Sequence, residues 1–289
     1  MIIDNITLKN EYLTVILSAY GAEMTSIKTA DGEEHLHQKD SIFWNRQAPV
    51  LFPVTGGVIG DKININGKSY DMPKHGFAMN TVFNFMECSE DIAVFSLLSN
   101  EETKKMYPYD FELLITYKLL GKSIDVSYEV INDGEDTMYF SIGSHEGYMC
   151  LDGLDNYEIQ FEKCEDDPYY FEDESEKINS FLKSGDGSAS VLKLSDRLFD
   201  GGRTVVFEKP KSEYVILKNN TDDSKIRVEF GEFDNLFIWS KPWGQFVCIE
   251  PWCGTAEKDF AAKDISEKPY IQSLDGGVHF EKHHIITIY

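Results

Sequence analysis

Apolar and polar residues alternate with a period of two through most of this chain. Phe111, Leu113, Ile115, Tyr117 and Leu119 fall on one side of an extended segment, and after Gly121-Lys122 the residues Ile124, Val126, Tyr128 and Val130 repeat the pattern. Successive side chains of a strand point to opposite faces, so this spacing predicts two half-buried antiparallel strands. Asn132-Asp133-Gly134 carries turn chemistry and leads into Thr137 to Ile142, read as a third strand of the same meander. The opening 35 residues alternate in short runs broken at Lys9-Asn10-Glu11, Tyr20-Gly21 and Asp31-Gly32, which predicts hairpins. Asn66-Gly67 predicts another, because both residues tolerate positive φ. Further strands are expected at Thr204 to Phe207, Tyr214 to Lys218, Ile226 to Phe230, Gln245 to Ile249 and the C-terminal VHFEKHHIITIY. Helical signals are few and short: Ser99 with Glu102 reads as a capping box before Thr103 to Met106, and Asp259 to Ser266 could give two turns.

Many antiparallel strands, tight turns and no βαβ alternation predict an all-β chain, a large antiparallel β-sandwich with few short helices. The acidic stretch Glu165 to Lys177 is the one compositional break. Strand signals resume by Val191 without a Gly/Ser tract, so it reads as a solvated loop or sheet insertion, and residues 1–289 as a single domain. Length alone allows one large all-β domain.

A net charge of −23 would repel a phosphate backbone, so nucleic acid is not an expected partner and an anionic membrane surface is disfavoured. The same charge leans toward a neutral small ligand. No run of 18 apolar residues offers a membrane span. Five cysteines with no CxxC spacing, and no apolar secretory segment after Met1, fit a reducing, cytoplasmic compartment. Nothing selects between monomer and homodimer.

Glu250 is the oddest residue, because it emerges from the apolar run Phe246 to Ile249 immediately before Pro251. A carboxylate there must be paired, hydrogen-bonded or kept for chemistry. Trp239, Trp243 and Trp252 lie close by, and flat aromatic surface beside a carboxylate suits a sugar, though it also suits a structural Trp-rich corner. His75 in MPKHGFAM and His145 in SIGSHEGYMC are flanked by glycines that permit close backbone approach. His35-x-His37 has no further ligands at recognisable spacing, so no metal is expected. There is no GxGxxG after a strand, no P-loop and no G-x-S-x-G elbow, so nucleotide and serine-hydrolase chemistries lack their parts.

PVLFP at Pro49 to Pro53, His75-Gly76-Phe77, Gly143-Ser144-His145, WSKP at Trp239 to Pro242 and Ile249 to Trp252 occur in that order over essentially the whole chain. With these five segments the sequence resembles the bacterial branch of the aldose 1-epimerase (galactose mutarotase) family. The resemblance implies a galactose mutarotase-like supersandwich that interconverts the α and β anomers of a free sugar without a cofactor. It assigns Glu250 as catalytic base, His145 as catalytic acid, His75 as a group holding the sugar near its ring oxygen and Trp239 as a pocket wall. Anomerisation needs one group to take the C1 hydroxyl proton and another to donate to the ring oxygen, and a carboxylate with an imidazolium can do this near neutral pH. The carboxylate is expected to raise the histidine toward its charged form.

The family's Arg after PVLFP is replaced here by VTGGVIG, which makes Arg46 the nearest basic candidate. The resemblance also implies an Asp that bonds sugar hydroxyls, for which Asp200 is the candidate, with Asp196 close by. Two alternatives stay open: a non-catalytic carbohydrate-binding or sensing protein on the same scaffold, and a glycoside hydrolase or lyase using Glu250 with Glu146 as a second carboxyl.

Overall fold

The structure is a computed structural model that describes residues 5–172, 177–181, 189–222, 224–257 and 264–289. Two antiparallel sheets dominate it. In the larger, nine strands run in the order Ala189–Lys193, Tyr157–Glu165, Tyr214–Asn219, Lys225–Glu229, His279–Ile288, Ser123–Asn132, Phe111–Leu120, Ile92–Leu98 and Asn84–Cys88. In the smaller, Phe246–Cys253 is bordered on one side by Ile142–Gly143 and Glu146–Met149. On its other side lie Asn235–Trp239, Arg203–Glu208, Tyr169–Glu172 and Lys177–Phe181. A three-stranded sheet from the first 29 residues and two hairpin-sized sheets complete the β structure among the described residues.

Period-two runs become strands because one face of each is buried. Phe111–Leu120 pairs with Ser123–Asn132 from Phe111 opposite Asn132 to Leu120 opposite Ser123, and the alternating apolar residues of both strands are buried. Asn66 and Gly67, at φ 51° and 76°, close the predicted hairpin between Lys62–Ile65 and Lys68–Asp71. The acidic stretch is a sheet insertion at its start, where Tyr169–Glu172 pairs with Arg203–Glu208.

Two expectations need correction. After Asn132 the chain leaves the large sheet. The Asn132 amide donates to the carbonyls of Asp136 and Leu274, and Met138–Phe140 pairs with Gln272–Leu274 instead of joining the meander. The third neighbour in the large sheet is the C-terminal strand His279–Ile288. The helix Glu101–Met106 is capped by Asn100 and not by Ser99, its side chain accepting from Glu102 and Thr103 while Thr103 closes the box. Most of the helical segment expected at Asp259 to Ser266 lies outside the described residues; within them Ile265–Glu267 makes one 3₁₀ turn capped by Asp264.

The core fills the space between the two sheets. From the smaller sheet, Val205, Phe207, Leu236, Ile238, Val247 and Ile249 join it. The alternate residues Val206, Phe237 and Trp252 belong to a separate apolar cluster with Leu51, Tyr169 and Ala256, on the opposite face of that sheet. This second covered face carries the site.

Candidate active site

Alternation along Phe246–Cys253 explains Glu250. Val247 and Ile249 turn into the core, while Cys248, Glu250 and Trp252 share the other face. Pairing adds Phe237 opposite Glu250 and Trp239 opposite Cys248, then Thr204 opposite Trp239. On the other side Gly143 lies opposite Trp252 and Glu146 opposite Ile249, a register that sets His145 across from Glu250. The His145 Nε2 and Glu250 Oε2 atoms are 3.3 Å apart, with the residues 8% and 2% exposed.

Two glycines make room for the aromatic walls. A Cβ on Gly147 would come within 2.8 Å of the Trp44 ring, and one on Gly143 within 2.5 Å of Trp252. Trp44 therefore lies over the sheet, stacked on His145 at 5.0 Å between ring centroids and edge-on to Trp239 at 5.7 Å. Trp252 stacks on Phe237 at 3.8 Å and its indole N–H donates to the Ser144 carbonyl. The resulting cavity, about 260 Å³, is lined by these rings together with Gly56, Gly57, Lys74, His75, His145, Thr204, Glu250 and Ala256.

His75 reaches the cavity through close docking of two distant segments. The Phe52 carbonyl accepts from the backbone of Phe77 and Ala78, and it lies 2.1 Å from where a Gly76 Cβ would stand, so only glycine fits. His75 itself is held at φ 66°, strained for a residue with a side chain. Its N–H donates to the Gly56 carbonyl and its Nδ1 accepts from the Gly56 N–H at 3.1 Å. An accepting Nδ1 puts the ring hydrogen of a neutral His75 on Nε2.

Burial, the neighbouring imidazole and Lys74 hold His75 well below the usual histidine range. Burial, reinforced by the positive charge of Lys74, pushes His145 down to about 3. This runs against the expectation that the ring would be charged: desolvation of the imidazolium is the largest influence on it. With Glu250 ionised, and so able only to accept, a neutral His145 carries its hydrogen on Nε2; its buried Nδ1 has no hydrogen-bond partner among the described residues.

Of the residues predicted from sequence, His75, His145, Trp239 and Glu250 line one cavity. Arg46 does not. Its guanidinium donates to the Met79 carbonyl and the Asn80 side chain and sits 3.6 Å from buried Glu23, which in turn accepts from the backbone of Gln47 and Ala48. Asp200 is exposed in the turn Asp196–Gly202 and also lies off the cavity wall. Trp243, 74% exposed on a turn, is not part of the site either. Glu146 faces the core, accepting from Ser144 and lying 3.2 Å from His284. Among the described residues, the donor set able to hold a metal ion is His145, Cys248 and Glu250, and the His35/His37 pair is not part of it.

The profile of the aldose 1-epimerase family matches residues 4–261. The chain belongs to the aldose 1-epimerase family. A Lactococcus lactis protein, the chromosomal LacX, is 33% identical over 288 residues, covering 93% of this chain and 94% of its own. A galactose mutarotase related enzyme from Lactobacillus acidophilus superposes with a TM-score of 0.90 at 28% identity, covering 99% of this chain and 97% of that one. A galactose mutarotase-like protein from Lactobacillus casei gives 0.91 at 27%, covering 99% and 100%. The large sandwich is thus the galactose mutarotase-like fold. In the run that follows Pro53, Gly56 has φ 69° and a Cβ there would fall 2.4 Å from that of Ala256, so that no side chain fits at this position. Among the described residues, the cation on the cavity wall is Lys74.

Proposed function

We propose that this protein interconverts the anomers of a sugar by acid–base ring opening, with Glu250 taking the C1 hydroxyl proton and His145 donating to the ring oxygen. The observation that carries this reading is the 3.3 Å approach of these two side chains in a cavity walled by Trp44, Trp239 and Trp252. Aromatic faces take the C–H faces of a pyranose, and the polar groups are left to its hydroxyls and ring oxygen.

The neutral state of His145 is compatible with its role. A neutral imidazole N–H can serve as the electrophile that stabilises a developing oxyanion. As the C1–O5 bond breaks, negative charge grows on O5 and the proton from C1–OH moves to Glu250. The Nε2–H of His145 turns from Glu250 to O5 and is transferred to it while the proton just taken up by Glu250 passes to the vacated Nε2, 3.3 Å away, so that both residues return to their starting states. The open aldehyde rotates about C1–C2 before the reverse transfers close it on the other face. His75, with its hydrogen on Nε2, adds a fixed donor on the same wall. Lys74 and Thr204 stand where hydroxyl contacts are needed, in place of Arg46 and Asp200. A hydrolase reading is disfavoured because Glu146 is turned into the core, leaving Glu250 without a second carboxyl across the cavity among the described residues.

The test follows optical rotation of freshly dissolved α-anomers of several aldoses, ketoses and sugar phosphates. At least one should equilibrate faster with protein, and Glu250→Gln and His145→Asn should each lower that rate by about 10²–10⁴. If no sugar is accelerated while one binds, the site is a binding site only.

A further inference from the structure

We infer that the acid–base pair is also a binding site for a thiophilic divalent cation such as Zn²⁺, completed by Cys248, and that occupation of this site switches the catalytic pair off. Cys248 and Glu250 are two residues apart on one strand and so project from the same face, with His145 across from Glu250 on the adjoining strand. One donor atom from each lies within 4.8 Å of the other two. A tetrahedral zinc ion holds nitrogen and oxygen ligands about 3.3–3.5 Å apart and sulfur about 3.6 Å from either. The observed 3.3 Å between His145 Nε2 and Glu250 Oε2 already matches one such edge. Bringing in the thiol needs a side-chain adjustment of about an ångström.

The donor chemistry fits as well. Neutral imidazole, thiolate and carboxylate are a characteristic zinc set, and three protein ligands leave the fourth position toward the cavity. Burial and the charges of Glu250 and Glu146 keep the Cys248 thiol protonated. A cation between these groups inverts that field, so the thiol loses its proton to solvent on coordination. Trp44 and Trp239, which both contact the His145 ring, pack around Phe246. An ion held here occupies the Glu250 lone pair and the His145 nitrogen that proton transfer requires. The inhibition rests on the function proposed above, whereas the binding does not.

The experiment uses the full chain with the exposed Cys88 and Cys164 changed to serine, leaving Cys150, Cys248 and Cys253, all buried. Titration with Co²⁺ should give a one-equivalent sulfur-to-metal charge-transfer band that Zn²⁺ displaces. Cys248→Ala should lose the band and bind at least about tenfold more weakly, with circular dichroism confirming an unchanged fold; Glu250→Gln should keep the band but weaken binding. Zn²⁺ should arrest anomerisation at the same stoichiometry in the parent and not in Cys248→Ala, with EDTA restoring it. A band that survives Cys248→Ala, or Co²⁺ binding without any sulfur band, overturns the site. Sulfur-ligated binding in a protein that accelerates no sugar would retire the proposed activity and leave the metal site standing.

Discussion

His145 and His75 have opposite ring faces committed, and this shapes their chemistry. His145 directs Nε2 to Glu250, while His75 spends Nδ1 on the Gly56 N–H and keeps Nε2–H for the cavity. Both rings are neutral at pH 7, because burial and Lys74 disfavour the imidazolium. The consequence is a pH profile. kcat/KM reports the ionisation of the free protein, and a donor whose pKa is about 3 does not titrate between pH 5 and 8. The rate constant should therefore be level through pH 6.5, the normal histidine value. Were the donor an imidazolium of ordinary pKa, the rate would fall about tenfold per unit above that point, and such a decline would remove the neutral-donor mechanism. Lys74→Met, which deletes a charge acting on both rings, should move any acid-limb pKa upward.

At the level of elements, the site exists because distant segments lock together at glycines. Gly76 accepts the Phe52 carbonyl in the space of its missing side chain at φ 75°. Gly76→Ala should therefore cost about 3 kcal/mol or more, combining left-handed strain with a backbone clash, and should lower activity by displacing His75. Gly67→Ala shares the positive φ but meets nothing within 4 Å. It should cost only about 1 kcal/mol and leave the rate unchanged. Urea unfolding and the rotation assay on both variants separate packing from conformational strain. This locking also decides what could be read in advance. Strands with one buried face, such as Phe111–Leu120, declare themselves by alternation. The fate of residues 137–142 did not, because leaving the meander depends on Asn132 bonding to Leu274, a contact 142 residues away. Glu250 and His145 drew notice through their surroundings, yet their apposition comes from a register no local pattern encodes. Trp44 lies in a turn-rich stretch without periodicity; the readable trace of it was Gly147, the gap it fills. Lys74 is legible as the charge adjoining His75, whereas proximity to a motif, the sequence signal behind Arg46 and Asp200, imposes no physical constraint on where a side chain points.

For the molecule as a whole, burying neutral histidines couples stability to acid. A histidine near pKa 6.5 in the unfolded chain and about 3 in the folded one, as for His145, binds a proton only when unfolded between those values. Unfolding then takes up protons, so stability rises with pH across that window and is lost as pH falls from 6.5 toward 3. His75, and to a smaller degree His35 and His37, shift in the same direction through burial. A competing effect is the net charge of −23, whose self-repulsion is relieved when carboxylates protonate. Carboxylates of ordinary pKa, about 4, stay ionised above pH 5, so between pH 6.5 and 5 the histidine term decides the sign. His145 alone should remove about 1.5 kcal/mol over that interval. Urea midpoints should accordingly fall on going from pH 7.5 to 5.0, and the fall should be smaller in His145→Asn, which has no proton to take up. Equal pH dependence in the variant and the parent would mean that His145 titrates normally in the folded protein, and the neutral acid–base pair would fall with it.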